Sequence, residues 1–353
     1  MTGLSGKHIC LVCHPYTARK DIGAGGDRYA YELARFIKPC AGRTTVMEAG
    51  IVRNLPTAII AELGFQLRWS SMKADLYHAV MTVCATSALR QRKKPLVTTI
   101  HDLISLYVNQ SQDRKWKFWY KSRCIKNAAA ASDMIIVPFF STKAQLIDDL
   151  KVKEEKIRVV HYGVDHEQFY PAPKVIKRKR KVLFVGALNK GKGVDSLVLC
   201  WDQVIDKYKD VELVLASKGW DSNYIKNLIA QTKNKDSIKL IGFIPEDKLR
   251  KAYLDADIAI FPSRYGFGLP TLEAMACGTP TISGNTLDAP EFVQNAGLLV
   301  NPDNLEDLSS KILCLLSDDS KYKDLVQKGI ERSSHFHWKK TASDTMKVYE
   351  ELL

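Results

Sequence analysis

The chain has 353 residues, 46% hydrophobic and 26% charged, which at roughly 100–200 residues per domain predicts two globular domains and excludes a largely disordered chain. Its net charge of +13 is uneven: residues 1–170 hold 25 Lys+Arg against 15 Asp+Glu, Lys174–Lys181 adds +6 without an acid, and residues 182–353 come to −3, so the front half is expected to meet something anionic. No run of about 18 apolar residues offers a membrane span, Met1–Lys7 does not read as a secretory leader, and eight scattered cysteines read as reduced cytoplasmic thiols rather than a zinc site.

In chain order, the strand His8–Cys13 leads through Gly23-Ala24-Gly25-Gly26 to a helix, Asp27–Ile37. Strands follow at Leu76–Val80, Leu96–Ile100 and Met134–Pro138. Ser141-Thr142 is expected to cap a helix running to Leu150, and Ile157–Val160 closes this half. The second half repeats the grammar. Val182–Val185 leads through Ala187–Gly193 to the helix Val194–Ile205, and strands recur at Glu212–Ala216, Ile238–Leu240, Ile258–Pro262, Thr281–Ser283 and Gly297–Val300. Strand alternating with helix over both halves predicts an α/β protein of two parallel, doubly wound, Rossmann-like sheets. Such sheets bind ligands at the carboxyl ends of their strands, so two facing each other make a cleft. The expected domains are 1–165 and 182–335. A linker, 166–181, is marked by Pro171, Pro173 and the solvated run Lys177–Lys181. A last helix in 336–353, with Trp338, Ala342, Met346 and Tyr349 on one stripe, is expected to pack back on the first domain.

The most informative stretch is Phe261–Glu291. A strand ends in Gly266-Phe267-Gly268-Leu269-Pro270, which opens the helix Thr271–Cys277. Glycines allow close backbone approach, and a helix start offers unpaired N–H groups and a positive dipole end. That is a phosphate cradle, with Glu273 one turn on to accept from a sugar hydroxyl. The plain alternative is a glycine turn whose helix carries a first-turn carboxylate. His101, at the carboxyl end of the strand Leu96–Ile100, reads as a ligand or as a structural histidine. His335-x-His337 reads as a surface pair. Arg90–Lys126 holds ten Lys/Arg and two Asp, and Trp116, Trp119, Tyr120 and Cys124 share one helical stripe there. Basic residues flanking aromatics suit an anionic bilayer surface; a core-facing stripe with a solvated basic edge is the other reading. No nucleic-acid motif accompanies the charge.

The segment around Gly266–Glu273 resembles the signature of the family 4 retaining glycosyltransferases, which have the GT-B fold. Gly25-Gly26 is similar to that family's N-terminal glycine loop, and Thr99-Ile100-His101-Asp102-Leu103 to its TIHDL strand end. His161–Asp165 resembles its NGVD turn, Val185–Leu188 with Lys192-Gly193 its VGRL…KG segment, and Phe336–Tyr349 its closing helix. The resemblance implies transfer of a sugar from a nucleotide-diphosphate donor to a glycan or lipid-linked acceptor, with no bound metal or other cofactor. The donor lies in the second domain and the acceptor in the first. It implies that His101 contacts the donor sugar, Lys192 the diphosphate and Glu273 the ribose, with Gly25, Gly26, Arg264, Tyr265, Gly266, Phe267, Gly268 and Leu269 lining the donor. Cell-surface polysaccharide or lipid-linked glycan assembly, on the inner face of the membrane, is the implied setting.

Two departures stand out. Ala187 occupies the place of the family's diphosphate-binding Arg, and the first Glu of its Glu-x7-Glu motif is missing at Tyr265, where the loop is one residue short. Arg264 or Lys190 is a candidate replacement cation. A non-catalytic GT-B partner of an active transferase is the competing reading.

Overall fold

The computed structural model describes residues 3–13, 25–48, 69–107, 115–173, 180–217, 223–266 and 268–353. They divide into two units, Met1–Gly163 with Trp338–Leu353, and Val164–His337.

The first unit carries β1 (His8–Cys13), α1 (Gly25–Ile37), β2 (Arg43–Glu48), β3 (Leu76–Ala79), α2 (Thr82–Gln91), β4 (Leu96–Thr99), α3 (Ile104–Tyr107), α4 (Lys115–Ala131), β5 (Met134–Val137), α5 (Phe140–Leu150) and β6 (Ile157–Val159). Its six strands are parallel in the order β2-β1-β3-β4-β5-β6. Short runs such as Leu-Val-Thr-Thr and Met-Ile-Ile-Val are buried throughout because helices cover both faces of such a sheet. Strand β2 is the element that apolar patterning misses. Arg-Thr-Thr-Val-Met-Glu pairs on one side only, as an edge strand, and needs few apolar residues. The expected cap at Ser141-Thr142 is also corrected. Helix α5 begins at Phe140 behind an extended Phe139 (φ −139°, ψ 152°), and no side chain caps it.

The second unit carries β7 (Arg180–Val185), α6 (Val194–Lys207), β8 (Val211–Ala216), α7 (Asn223–Gln231), β9 (Ile238–Ile241), α8 (Glu246–Asp255), β10 (Ile258–Phe261), α9 (Leu269–Ala276), β11 (Thr281–Gly284), α10 (Ala289–Val293), β12 (Leu298–Val300), α11 (Leu305–Ser317) and α12 (Asp319–Ser333). Its strands run parallel in the order β12-β11-β10-β7-β8-β9. The strand order reverses between β7 and β10, the place where open parallel sheets hold their ligands. Two parallel α/β sheets are the architecture read from the sequence.

The boundaries differ from the reading of 166–181 as a linker. Residues 164–173 pack on the second unit: Phe169 is buried against Tyr253, with ring centroids 6.1 Å apart. Gln168 donates to the Glu246 carbonyl at 2.7 Å, and the Arg250 guanidinium lies 3.5 Å above the Tyr170 ring. Arg180 and Lys181 already belong to β7; residues 174–179 lie outside the described residues. The other crossing is at His337. Helix α13 (Trp338–Glu350) then completes the first unit, packing on α1 with Trp338, Ala342, Met346 and Tyr349 all buried.

Candidate functional site

In the second unit, β7 ends at Val185 and the chain turns through Lys190–Lys192 into α6. Asn189 Oδ1 accepts from the Lys192 N–H at 3.0 Å and fixes that turn. Gly193 adopts φ +68°, and a Cβ there would lie 1.8 Å from the Pro262 carbonyl oxygen. Only glycine fits, so the turn rides directly on the end of β10. Residues 263–265 continue the contact. The Arg264 N–H donates to the Gly191 carbonyl at 2.9 Å, and the Ser263 hydroxyl donates to the Tyr265 carbonyl at 2.6 Å. The Tyr265 ring lies over Gly191, 3.4 Å from where a Cβ would stand.

Arg264 is held by side chains of its own unit. Its Nε donates to Asp303 at 2.6 Å, Nη1 to Asp195 at 2.8 Å and to the Lys190 carbonyl, and Nη2 to Ser196 Oγ at 2.7 Å. With 17% of its side chain exposed and two carboxylates on it, the guanidinium pins the Lys190–Lys192 turn and the α6 amino end to the loop after β10. The Lys190 ammonium sits 4.9 Å over the Tyr224 ring, a cation–π contact. Lys192 is half-buried in the same turn. Gly266, at φ +67°, has nothing within 4 Å of a Cβ position, and Gly268 is the N-cap of α9, which no side chain caps. An anion is favoured at such an uncapped amino end. Phe267 lies outside the described residues, and Leu269 opens the helix, buried. Glu273, one turn on, is 2% exposed and accepts from the Tyr253 hydroxyl of α8 at 2.9 Å. Its carboxylate is therefore held in place rather than solvated. Sequence reasoning brought out both loops but not Asp195, Ser196, Asp303 and Tyr253, which hold them; ordinary helix and loop residues give no signal of that kind.

In the first unit, His101 follows β4. Its Nε2 lies 2.9 Å from the Val80 carbonyl and its Nδ1 2.6 Å from the Tyr162 hydroxyl. A carbonyl only accepts, so Nε2 carries the proton. Burial lowers the imidazole pKa against the opposing pull of that hydrogen bond and of Asp102. In the neutral ring Nδ1 then accepts from Tyr162. Gly26, early in α1, is the neighbour that motif matching placed here: a Cβ on it would stand 3.9 Å from Nε2. Gly25 opens the same helix; Gly23 and Ala24 lie outside the described residues. Below His101 runs a buried polar chain that the sequence reading missed. His78 bonds the Tyr349 hydroxyl of α13 at 2.6 Å through Nδ1 and Thr99 Oγ1 at 2.8 Å through Nε2, and Tyr29 bonds Thr99 at 3.2 Å. Burial first, then the nearby His101, lowers the His78 pKa to about 3.

His335 and His337 are both exposed, as the sequence reading has them. The His337 ring also lies against His166, with centroids 4.5 Å apart, and His166 Nε2 donates to the Phe336 carbonyl at 3.1 Å. The aromatic stripe of α4 splits: Cys124 is buried, while Trp119 is 66% exposed. No disulfide joins cysteines among the described residues. Among the described residues no group of three or more His, Cys, Asp or Glu is arranged to hold a metal, and no helix is long and apolar enough to cross a membrane.

Comparison with known proteins places the chain among glycosyltransferases. Residues 24–168 match the family described as Glycosyltransferase Family 4, and residues 166–332 that described as Glycosyl transferases group 1. An uncharacterized glycosyltransferase of Methanocaldococcus jannaschii is 31% identical over 287 residues, 79% of this chain and 76% of that protein. The O-antigen chain mannosyltransferase B of Escherichia coli is 24% identical, covering 74% and 72%. Sucrose-phosphate synthase from Thermosynechococcus elongatus superposes with a TM-score of 0.84 at 21% identity, over 98% of this chain and 99% of that one. HepE of Anabaena, solved with UDP-glucose, gives 0.78 at 16% identity, over 98% and 100%.

Proposed function

The chain belongs to the family 4 and group 1 glycosyltransferases, and from that premise we propose that it moves a hexose, with retention at the anomeric carbon, from a nucleoside-diphosphate donor to a glycan or lipid-linked acceptor in surface polysaccharide assembly. The observation that carries the reading is the seating of the Lys190–Lys192 turn against residues 262–266, where Gly193 and Arg264 hold two strand-end loops of the second unit together. The O-antigen mannosyltransferase relative supports the polysaccharide setting.

In this reading the donor diphosphate lies at those loops. The Lys192 ammonium and the α9 amino end meet the negative charge that builds on it as the glycosidic bond breaks, a preorganised field that needs no rearrangement during reaction. Side-chain cation and helix dipole do this without a metal, so chelators leave the rate unchanged. Glu273, fixed by Tyr253, receives the ribose hydroxyls. The departing phosphate accepts the acceptor's proton on the face from which it leaves. His101, kept neutral with its proton on Nε2, lies beside the sugar.

Calorimetry with UDP, GDP and ADP on the wild type and Lys192→Ala tests donor placement; unchanged binding in the variant removes it. Single-turnover transfer over a panel of nucleotide sugars, with the product's anomeric configuration read by NMR, tests the reaction. Tyr265 and Ala187 favour one alternative: if nucleotide binds, no donor is turned over and His101→Ala changes nothing, the chain is a non-catalytic partner of an active transferase.

A further inference from the structure

Helix α4 carries Lys115, Lys117, Lys121, Arg123 and Lys126 and no acidic residue. Its inward face is Cys124, Ile125, Ala128, Ala129 and Ala131, all buried against the rest of the first unit. The opposite face presents Trp119, Arg123 and Lys126 at positions i, i+4 and i+7, all three exposed. Trp119 is 66% exposed, above every other large hydrophobic side chain among the described residues. Lys121, Arg123 and Lys126 meet no carboxylate among those residues, whereas Lys143, Lys251, Lys328 and Lys340 each do.

We propose that this Trp119 face of α4 docks the protein on an anionic lipid bilayer. A polyanion with no apolar face is held by cations alone, but an indole set between cations gains from a partner that has apolar depth behind its charge. Tryptophan suits that boundary because its ring is apolar and its N–H is polar. Each cation brought to an anionic surface strengthens partitioning by about fivefold, and the effect fades within a Debye length as salt rises. A single-stranded nucleic acid also offers charge with stacking, and the experiment below separates it. The proposal deepens the lipid-linked acceptor reading, on which it rests for its purpose alone. Vesicle binding is measured without donor or acceptor, so either can fail while the other stands.

The test is sedimentation of the full chain with phosphatidylcholine vesicles containing 0% or about 30% phosphatidylglycerol, at 0.15 and 0.5 M salt. Binding is expected only with the anionic lipid and is expected to fall at least tenfold at high salt. Arg123→Glu with Lys126→Glu should weaken it by about a hundredfold or more, and Trp119→Ala about tenfold. The same charge change at Lys321 and Lys323 of the second unit should weaken it by less than about threefold, with circular dichroism showing all variants folded. The proposal is overturned by a wild type that ignores anionic vesicles, by α4 variants that bind like the wild type, or by a second-unit control that loses as much. It is likewise overturned if a dT20 oligonucleotide binds through these residues while vesicles do not.

Discussion

His78 and His101 are both kept neutral by burial, and each has its two ring nitrogens engaged by the protein. An unfolded histidine has a pKa near 6.5, above the value of about 3 that His78 takes in the fold. Below about pH 6.5 the unfolded chain therefore binds the extra proton. The stability this neutrality confers is complete above that pH and is lost as pH falls toward 3, at up to about 1.4 kcal/mol per pH unit for one site. Denaturant melts at pH 7.5, 6.0 and 5.0 should show the wild type weakening with acid and His78→Gln weakening less; equal slopes contradict the assignment. Tyr162→Phe leaves His101 Nδ1 without its donor in a buried site, at a cost of about 1–3 kcal/mol. Under the proposed reaction, turnover should fall while the Kd for nucleotide stays constant; a matching rise in Kd argues against a role at His101. The sequence exposed His101 because it stands at a strand end. Tyr162, 61 positions on, carries no mark that it fixes the tautomer, since the pairing exists only after β4, β5 and β6 are laid side by side. Trp119 was equally undetermined: one helical stripe reads alike whether it faces protein or water.

At the scale of elements, apolar runs marked eleven of the twelve strands among the described residues, with ends shifted by at most two residues. They failed at β2, whose edge position relaxes the demand for apolar side chains, and at the α5 cap, where two hydroxyl residues fall inside the helix instead of ahead of it. The loop itself was legible from Gly266 and Gly268; the contacts that hold it, through Gly193 and Arg264, were not. Gly193→Ala forces a methyl into the Pro262 carbonyl at a positive φ, so the Lys190–Lys192 turn must lift from β10. We expect loss of more than about 1 kcal/mol of stability and no measurable UDP, GDP or ADP heat; a variant that binds as well as the wild type contradicts the seated-turn reading. Arg264→Met keeps bulk but releases Asp195, Ser196 and the Lys190 carbonyl. It should weaken nucleotide binding about tenfold and raise KM more than it lowers kcat, with partial recovery in Arg264→Lys. An equal fall in kcat at constant KM would instead place the guanidinium on the reacting group.

For the whole molecule, two parallel sheets follow from the repeated strand–helix grammar, yet the division of the chain between them depends on contacts no pattern shows. Proline and charge suggested a free linker, whereas Phe169, Gln168 and Tyr170 hold that stretch on the second unit. The first unit is discontinuous, closed by α13 through the Tyr349–His78 bond, the Trp338 ring beside Tyr29 and Tyr162, and the Arg158–Glu351 ion pair. Removing residues 338–353 should abolish slow amide exchange in β3 and β4 while leaving β7, β8 and β10 protected; uniform loss across both sheets would deny the units their independence. That discontinuity also sets an order of assembly at the ribosome. Residues 164–337, all 174 of the second unit, are synthesised between the last strand of the first unit and the helix that closes it. At 5–20 residues per second this is a delay of roughly 9–35 s. During that interval His78 and Tyr29 have no helix above them and the nascent first sheet exposes its aromatic seat, so the span in which it most needs protection from chaperones is fixed by the length of the domain translated after it.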